Sequence, residues 1–137
     1  MTDRFESGAF APIPPEVEEI GATVVDAGIK VHKALGPGLL ESAYEQCLAY
    51  ELNERGLSVR RQVPLAITYG KLKLDAAYRI DMLVAEVVVV ETKSIDVLLP
   101  VHQAQLVTYL KLSGYRLGFL MNFNVPLLKQ GLKRIAR

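Results

Sequence analysis

The stretch "VVVVETKSI", residues 87–95, constrains the fold more than any other part of the sequence. Four consecutive valines are typical of a strand that is buried inside a sheet. The same strand ends in Glu91, Thr92 and Lys93. Because successive side chains on a strand point to opposite faces, Glu91 and Lys93 share one face and Thr92 lies on the other. An acid and a base therefore stand together at the end of an otherwise apolar strand.

Two segments with helical periodicity precede this strand. Pro15 stands at a typical first helical position, and apolar residues at three- and four-residue spacing predict a helix that continues to the "GPG" break at residues 36–38. A second helix is predicted from Leu40, with Gly56 as its C-terminal cap. The stiff "APIPPE" stretch before Pro15 predicts an extended leader over residues 1–14 and a single domain over residues 15–137.

Strand periodicity begins near residue 61 and predicts a mixed sheet. "RQVPLAITY", "LKLDAAYRIDMLV" and "VVVVETKSI" are three strands for which a meander is the economical pairing. A helix follows from Pro100 to Gly114, then the buried strand "YRLGFLMNF", and the tail "VPLLKQGLKRIAR" is interpreted as a short basic helix. The predicted fold class is α/β, with helices flanking a mixed central sheet of about four strands.

Composition narrows the class of protein. The chain has 137 residues, of which 50% are hydrophobic and 23% are charged, as expected for a globular domain. Its formal net charge of +1 excludes a strongly basic nucleic-acid coat, so any contact with an acidic polymer must come from a local patch. The single cysteine, the absence of a secretory signal and the lack of a membrane-length apolar run predict a cytoplasmic protein with no membrane contact.

Asp81 interrupts the apolar strand "YRIDMLV", one strand before Glu91 and Lys93. One interpretation is a structural salt-bridge network that also includes Arg79. The other is a metal site, because two carboxylates from neighbouring strands suit a hard divalent cation such as Mg²⁺. Lys93 would then hold or activate the attacking water.

Two helices carry further candidates. Glu41 and Tyr44 are three residues apart at the start of the second helix and share a face, although a first-turn acid is also explained by the helix dipole. Gln105 and Tyr109 are four apart on the later helix, a spacing that is equally common for surface glutamine and half-buried tyrosine.

Other polar residues are weaker candidates. A nucleophile or zinc site built from Cys47 with His32 and His102 lacks any ligand spacing, and Cys47 is predicted to be a core residue. Asn122 and Asn124 end the last strand, where they serve a site or start a turn. The candidate phosphate contacts are Arg60, Arg61, Lys129, Lys133 and Arg134.

Five blocks of the sequence resemble a known family. "GLLESAY" matches the pattern that names the GxxExxY proteins, and "RIDMLV", "VVVVETKSI", "LPVHQAQLVTYLKLSG" and "NFNVPLLKQGLKRI" are similar to its other blocks in the same order. The resemblance extends from about Gly21 to the end of the chain. GxxExxY proteins are a branch of the PD-(D/E)XK phosphodiesterase superfamily, whose core of helix, three strands, helix and strand is the order predicted above. No proline precedes Asp81, but this position is the loosest in the superfamily.

The resemblance implies a nuclease that cleaves nucleic acid with Mg²⁺ or Mn²⁺, with DNA expected rather than RNA. It implies that Asp81, Glu91 and the Thr92 carbonyl bind the metal, that Lys93 is catalytic and that Glu41 lies beside them. Gln105 and Tyr109 match the QxxxY motif of the RecB-like branch. The alternative is a catalytically silent nucleic-acid-binding or regulatory domain of nuclease fold. Because so small a domain offers little surface for wrapping a duplex, a homodimer is also expected.

Strand parity sets a condition on this site. In an antiparallel hairpin, opposed residues share a face and their numbers have a constant sum. A two-residue turn at 85–86 pairs Val84 with Val87, which gives an odd sum and sends Asp81 and Glu91 to opposite faces. One metal cannot then bind both acids. The site therefore requires an odd connection at this turn, or a bulge that shifts the register by one residue.

Overall fold

Three α-helices flank a five-stranded mixed sheet in the computed structural model, which describes residues 10–137. Residues 1–9 of the predicted leader lie outside that range. Within it, no helix combines the length and apolar character needed to cross a membrane. The elements in chain order are α1 (Pro15–Leu35), α2 (Glu41–Glu54), β1 (Val59–Tyr69), β2 (Leu72–Val84), β3 (Val88–Lys93), α3 (Pro100–Ser113), β4 (Leu117–Asn122), a 3-10 turn (Leu128–Gly131) and β5 (Leu132–Ala136).

Helix α1 begins and ends where the sequence predicts. Pro15 is its first residue, and the chain leaves the helix at Gly36, which has a φ of 71°. Two glycines seven residues apart face the sheet. A Cβ added at Gly21 would lie 2.8 Å from the Leu117 side chain, and one at Gly28 would lie 2.9 Å from the sulfur of Met121. Helix α1 therefore crosses β4 at a distance that larger residues at these positions would prevent.

The strands lie in the order β1-β2-β3-β4-β5. The first three strands form the predicted antiparallel meander, β4 pairs with β5 in antiparallel fashion, and only β3 and β4 are parallel. Helix α3 makes the crossover between those two strands. The α/β architecture is confirmed, with five strands where the sequence predicted about four.

The prediction of a short basic helix at the chain end is wrong. Residues Leu132–Ala136 form β5, which pairs with β4 from Met121 opposite Leu132 to Leu117 opposite Ala136. The three-residue spacing of Leu132 and Ile135 resembles a helical period, but β4 offers an open edge whose backbone groups need partners. Tertiary pairing therefore overrides the local pattern.

Both faces of the sheet are covered, as the four valines predict. Val88 and Val90 pack on the side of α1 and α2, and Val89 packs on the side of α3. All three side chains are fully buried. The centre of the sheet is thus apolar on both faces, which makes the charged residues at its end exceptional.

The connection between β2 and β3 consists of residues 85–87, and its odd length is the one that a shared metal site requires. The Val87 N–H donates to the Val84 carbonyl at 3.0 Å, which closes a tight turn over residues 85–86. Both turn residues have positive φ, 51° and 61°. Val84 nevertheless pairs with Val88 rather than with Val87. Val87 is therefore an extra residue in the connection. The numbers of paired residues have an even sum, as a site shared by Asp81 and Glu91 requires.

Strands β1 and β2 extend well beyond β3. They pair with each other from Val59 opposite Val84 to Tyr69 opposite Leu72, whereas β2 pairs with β3 only over Met82–Val84. Because β2 is antiparallel to β3, the unaccompanied part projects past the end of the sheet where Lys93 lies. We call residues 64–79, which form this projecting two-stranded hairpin, the arm.

Candidate metal centre

Asp81 and Glu91 meet at the end of the β2–β3 ladder. The Asp81 N–H donates to Glu91 Oε2 at 2.7 Å, and the Thr92 N–H donates to Asp81 Oδ2 at 3.0 Å. Each carboxylate therefore holds the backbone of the neighbouring strand with one oxygen. The second oxygen of each accepts no hydrogen bond from residues 10–137 and remains available to a ligand.

Burial and mutual repulsion disfavour the charged forms of both acids. Glu91 is only 4% exposed, and burial, followed by the charge of Asp81, raises its pKa to about 8. Burial also raises the pKa of Asp81, although the hydrogen bond from Thr92 opposes this rise. A buried and a half-buried carboxylate that both have raised pKa values are typical of sites where a cation compensates the charge.

Lys93 ends β3 close to these acids without pairing with them. Its positive charge opposes the rise in pKa of both Asp81 and Glu91, so it lies within electrostatic reach of each. No ion pair between residues 10–137 includes Lys93, Arg79 or either acid. The structural salt-bridge network considered from the sequence is therefore absent from this part of the chain, and the lysine ammonium is free to contact a ligand.

Glu41 is the first residue of α2, is largely exposed and lies within electrostatic reach of the same group. Burial raises the pKa of Glu41, and the next influences are the charges of Lys93 and Asp81. The loop before it is fixed by Tyr44, whose hydroxyl donates to the Gly36 carbonyl at 2.5 Å and accepts the Leu39 N–H at 3.1 Å. The fully buried Tyr44 thus positions the start of α2 rather than contacting the acids.

Helix α3 contributes Tyr109 to the group. Burial raises the pKa of Tyr109, with further contributions from the charges of Glu91 and Asp81, so this half-buried phenol lies within electrostatic reach of the acids. Its ring lies 4.8 Å from that of Tyr78 at the base of the arm. Gln105 lies one turn earlier and is exposed, and its side chain forms no hydrogen bond within the described range.

Glu45 is a member of the site region that the sequence interpretation missed. It is only 4% exposed, lies one turn after Glu41 and accepts hydrogen bonds from Arg61 Nε at 2.9 Å and Gln62 Nε2 at 3.0 Å. Its charge contributes to the raised pKa values of Asp81 and Glu41. The four-residue spacing from Glu41 was a usable signal, because it places both acids on one face of the helix.

Gln62 reaches Glu45 through an unusual backbone conformation. Its φ is 54°, a left-handed value inside a strand. Arg61, just before it, reaches the α2 side of the sheet, whereas Val63, just after it, packs on the α3 side. The strand therefore turns over at Gln62, directly beside Asp81 on β2, and strain of this kind is commonly found near functional sites.

The loop after Lys93 is held in place by the end of β4. Asn122 accepts the Ile95 N–H at 3.1 Å and donates to the Ile95 carbonyl at 3.0 Å. Asn124 donates to Asn122 Oδ1 at 3.3 Å through its backbone N–H. Ser94 Oγ donates to the Leu39 carbonyl at 2.6 Å, which joins this loop to the one that precedes Glu41. The asparagines therefore position the surroundings of the site.

The remaining candidates have structural contacts. The Leu99 N–H donates to His102 Nδ1 at 2.9 Å at the start of α3, and His32 Nε2 lies 2.8 Å from the Val125 carbonyl oxygen. Cys47 packs against the core, as predicted. Three of the five basic residues proposed as phosphate contacts are paired with carboxylates, in the pairs Arg60–Glu86, Arg61–Glu45 and Arg134–Glu18.

The donors fit a hard cation that keeps part of its water. Within residues 10–137, no three His, Cys, Asp or Glu side chains form a ready-made metal cluster. The candidate ligands are two carboxylates, each with one oxygen free of protein hydrogen bonds. Mg²⁺ commonly binds through one or two carboxylates and retains several waters, whereas a structural zinc site needs four protein ligands. The chemistry of these donors therefore suits Mg²⁺ or Mn²⁺.

Comparison with known proteins gives one match. A family model described as the PD-(D/E)XK nuclease superfamily matches residues 18–135. No curated protein and no solved structure matches the chain. The matched range begins in α1, ends in β5 and includes every candidate site residue. The GxxExxY branch of that superfamily stays a prediction.

Proposed function

The chain belongs to the PD-(D/E)XK nuclease superfamily, and on that premise we propose that it hydrolyses phosphodiester bonds of nucleic acid with a bound Mg²⁺ or Mn²⁺. The observation that carries the proposal is the pairing of Asp81 and Glu91. Each is held by a backbone N–H of the other's strand, the two repel each other, and no cationic side chain of residues 10–137 pairs with either. DNA is the substrate that we propose in preference to RNA.

In this mechanism Asp81, Glu91 and the backbone carbonyl of Thr92 would hold the metal. Glu41, at the start of α2 and within electrostatic reach of Asp81 and Lys93, would assist in holding it, directly or through water. When bound, the ion polarises the scissile phosphate and lowers the pKa of a coordinated water. The two strand acids fix the position of the phosphate relative to the end of β3.

Lys93 and the residues of α3 act on the water and the phosphate. The Lys93 ammonium orients the attacking water or stabilises the charge that develops in the transition state. Tyr109, which lies within electrostatic reach of the acids, steadies the phosphate together with Gln105. A cytoplasmic setting is proposed as well, since the single cysteine, Cys47, has no possible partner for a disulfide within the chain.

A catalytically silent nucleic-acid-binding or regulatory domain is the competing function. Loss of catalysis is usually accompanied by loss of a charged catalytic group, whereas Asp81, Glu91 and Lys93 are all present here. We therefore favour the enzyme.

The test is a cleavage assay with single-stranded, duplex and branched DNA and with RNA, in Mg²⁺, in Mn²⁺ and in EDTA. Lys93→Ala is expected to lower the rate by about 100-fold or more, which is typical when one group that stabilises transition-state charge is lost. Lys111→Ala, an exposed lysine on α3, is the matched control and should retain the wild-type rate. Cleavage that persists in EDTA or in Lys93→Ala contradicts the proposal.

A further inference from the structure

The arm is a two-stranded hairpin with little cover from the rest of the molecule. Its β1 and β2 residues are exposed or half-buried from residue 64 to residue 79. At its base, Leu65 and Tyr78 pack against the core, and the Tyr78 hydroxyl donates to the Tyr109 carbonyl at 3.5 Å. A two-stranded hairpin by itself is only marginally stable in water. A projecting hairpin of this length is therefore expected to have a binding partner.

One face of the arm is an apolar stripe. Leu65 lies opposite Tyr78, Ile67 opposite Leu74, and Tyr69 opposite Leu72, and opposed residues share a face. The stripe is exposed at the tip, where Tyr69 is 81% exposed, Leu72 55% and Leu74 43%. Apolar surface displayed in this way on a projecting element is typical of a contact site.

The arm also carries an excess of positive charge. The arm contains three cations, Lys71, Lys73 and Arg79, and one acid, Asp75. Its net charge is therefore +2, whereas that of the whole chain is +1. None of these four side chains forms an ion pair within residues 10–137. By contrast, Arg55, Arg60, Arg61 and Arg134 all pair with carboxylates. The uncompensated cations of the arm are therefore available to an anionic partner.

The arm begins at the candidate metal centre. Arg79 is two residues before Asp81 on the same strand, and Tyr78 contacts Tyr109, which lies within electrostatic reach of the two acids. The seven residue steps from Arg79 to Leu72 span about 23 Å at 3.3 Å per residue. A polyanion held by the arm would thus extend from its tip to the acids.

We propose that the arm binds duplex DNA by lying in the major groove, with Lys71 and Lys73 against the flanking phosphates. This inference rests on the proposed nuclease function, and it assigns the surface and the form of the substrate. The major groove of B-DNA is about 12 Å wide and admits a two-stranded β-ribbon. The apolar stripe then meets base edges, where thymine methyl groups offer apolar contact. Duplex RNA is disfavoured because its major groove is too narrow for this element.

The experiment compares two double variants of the full chain, each in a Lys93→Ala background so that DNA stays intact. Lys71→Ala/Lys73→Ala alters the arm, and Lys33→Ala/Lys111→Ala removes two exposed lysines elsewhere. Binding to a short DNA duplex is measured over a range of salt concentrations. Loss of two phosphate contacts should make the negative slope of log association constant against log salt concentration shallower by about 1.8. Binding should weaken at least about tenfold. The control variant should match its parent.

A second assay separates the arm from the chemistry. Hydrolysis of bis(p-nitrophenyl) phosphate in Mn²⁺ requires the metal centre but offers nothing for the arm to bind. With Lys93 intact, the arm variant should hydrolyse this small diester at the wild-type rate while it loses duplex cleavage. If the wild-type protein hydrolyses neither substrate, the proposed function fails, and the binding comparison still decides the role of the arm.

Three results would overturn the inference. The first is an unchanged affinity and salt slope in the arm variant. The second is tighter binding of single strands than of duplex, since stacking of bases on Tyr69 would then explain the exposed tip. The third is a wild-type dimer, seen by light scattering, that becomes monomeric in Tyr69→Ala/Leu72→Ala without any change in DNA binding. In that case a second copy of the chain covers the arm.

Discussion

Asp81 and Glu91 combine two roles that usually belong to different residues. Each accepts a backbone N–H of the neighbouring strand with one oxygen, and the second oxygen of each accepts no hydrogen bond from residues 10–137. An amide side chain can perform the first role but not the second, because it is uncharged and carries an NH2 donor in place of the second oxygen. Single substitutions can therefore separate a structural role from the proposed metal binding.

At neutral pH, Glu91→Gln is expected to stabilise the metal-free protein by about 1 kcal/mol or more. The buried glutamate must either carry a charge or take up a proton on folding, whereas glutamine does neither and keeps an acceptor for the Asp81 N–H. The same variant should lose most of its affinity for Mn²⁺. Thermal unfolding in EDTA and calorimetric titration measure the two effects. Glu86→Gln, at an exposed acid paired with Arg60, is the control and should change neither by much. A strongly lowered melting temperature for Glu91→Gln would argue that the glutamate is structural.

The stability of the metal-free protein should fall as pH rises from 4.5 to about 8. The pKa of Glu91 is raised from 4.5 to about 8 in the folded protein, so in this window the folded state binds a proton that the unfolded state has released. Stability then decreases with pH by at most about 1.4 kcal/mol per unit. Urea denaturation in EDTA at several pH values measures the slope. Glu91→Gln should flatten it, and a slope that the variant leaves unchanged would assign the effect to another group.

At the level of elements, α2 is joined to β1 by the buried Glu45 and its partners Arg61 and Gln62. Removal of the acceptor leaves two donors without a partner, although Arg61, whose side chain is 39% exposed, can turn to solvent. We therefore expect Glu45→Ala to cost about 1–3 kcal/mol. A double-mutant cycle with Arg61→Ala should give a coupling energy of about 1 kcal/mol, measured by urea unfolding. A coupling near zero would show that Gln62 alone makes the connection.

The sequence predicted the elements that have strong local signals. Pro15 and Gly114 mark helix ends that the structure reproduces, and the valines of β3 are buried as expected. The condition that strand parity set for a shared site, an odd connection between β2 and β3, is met because Val87 adds one residue to the turn. These features depend on periodicity and on turn chemistry, which act over a few residues.

Features that depend on distant partners were not predictable in the same way. Residues 132–136 became a strand because β4 has an open edge, a property of the assembled sheet rather than of the segment. The contact of Glu45 with Gln62 depends on the left-handed conformation of Gln62, for which a glutamine gives no signal. The projection of the arm depends on where β3 stops pairing with β2.

Across the whole molecule, the centre of the sheet and the arm differ sharply in solvent exposure. Val88, Val89 and Val90 are fully buried between the helical layers, whereas the arm is open to solvent on both faces. We expect amide hydrogens of residues 66–77 to exchange at least about 100-fold faster than those of Val88–Thr92, because the arm opens without disturbing the core. Hydrogen exchange with mass spectrometry tests this expectation. Slow exchange in the arm would instead indicate that another surface covers it. If dilution of the protein removed this protection, the cover would be a second copy of the chain.

The parallel pairing of β3 with β4 also has a consequence for the order of folding. The β1–β2–β3 meander and the β4–β5 hairpin each need only short loop closures, and these are fast. The pairing of β3 with β4 must wait for a crossover through α3, and α1 packs against Leu117 and Met121, about a hundred residues further along the chain. Both acids and Lys93 belong to the meander. The residues of the candidate metal centre are thus able to come together early, while the α1 layer that covers Val88 and Val90 on one face of the sheet closes late.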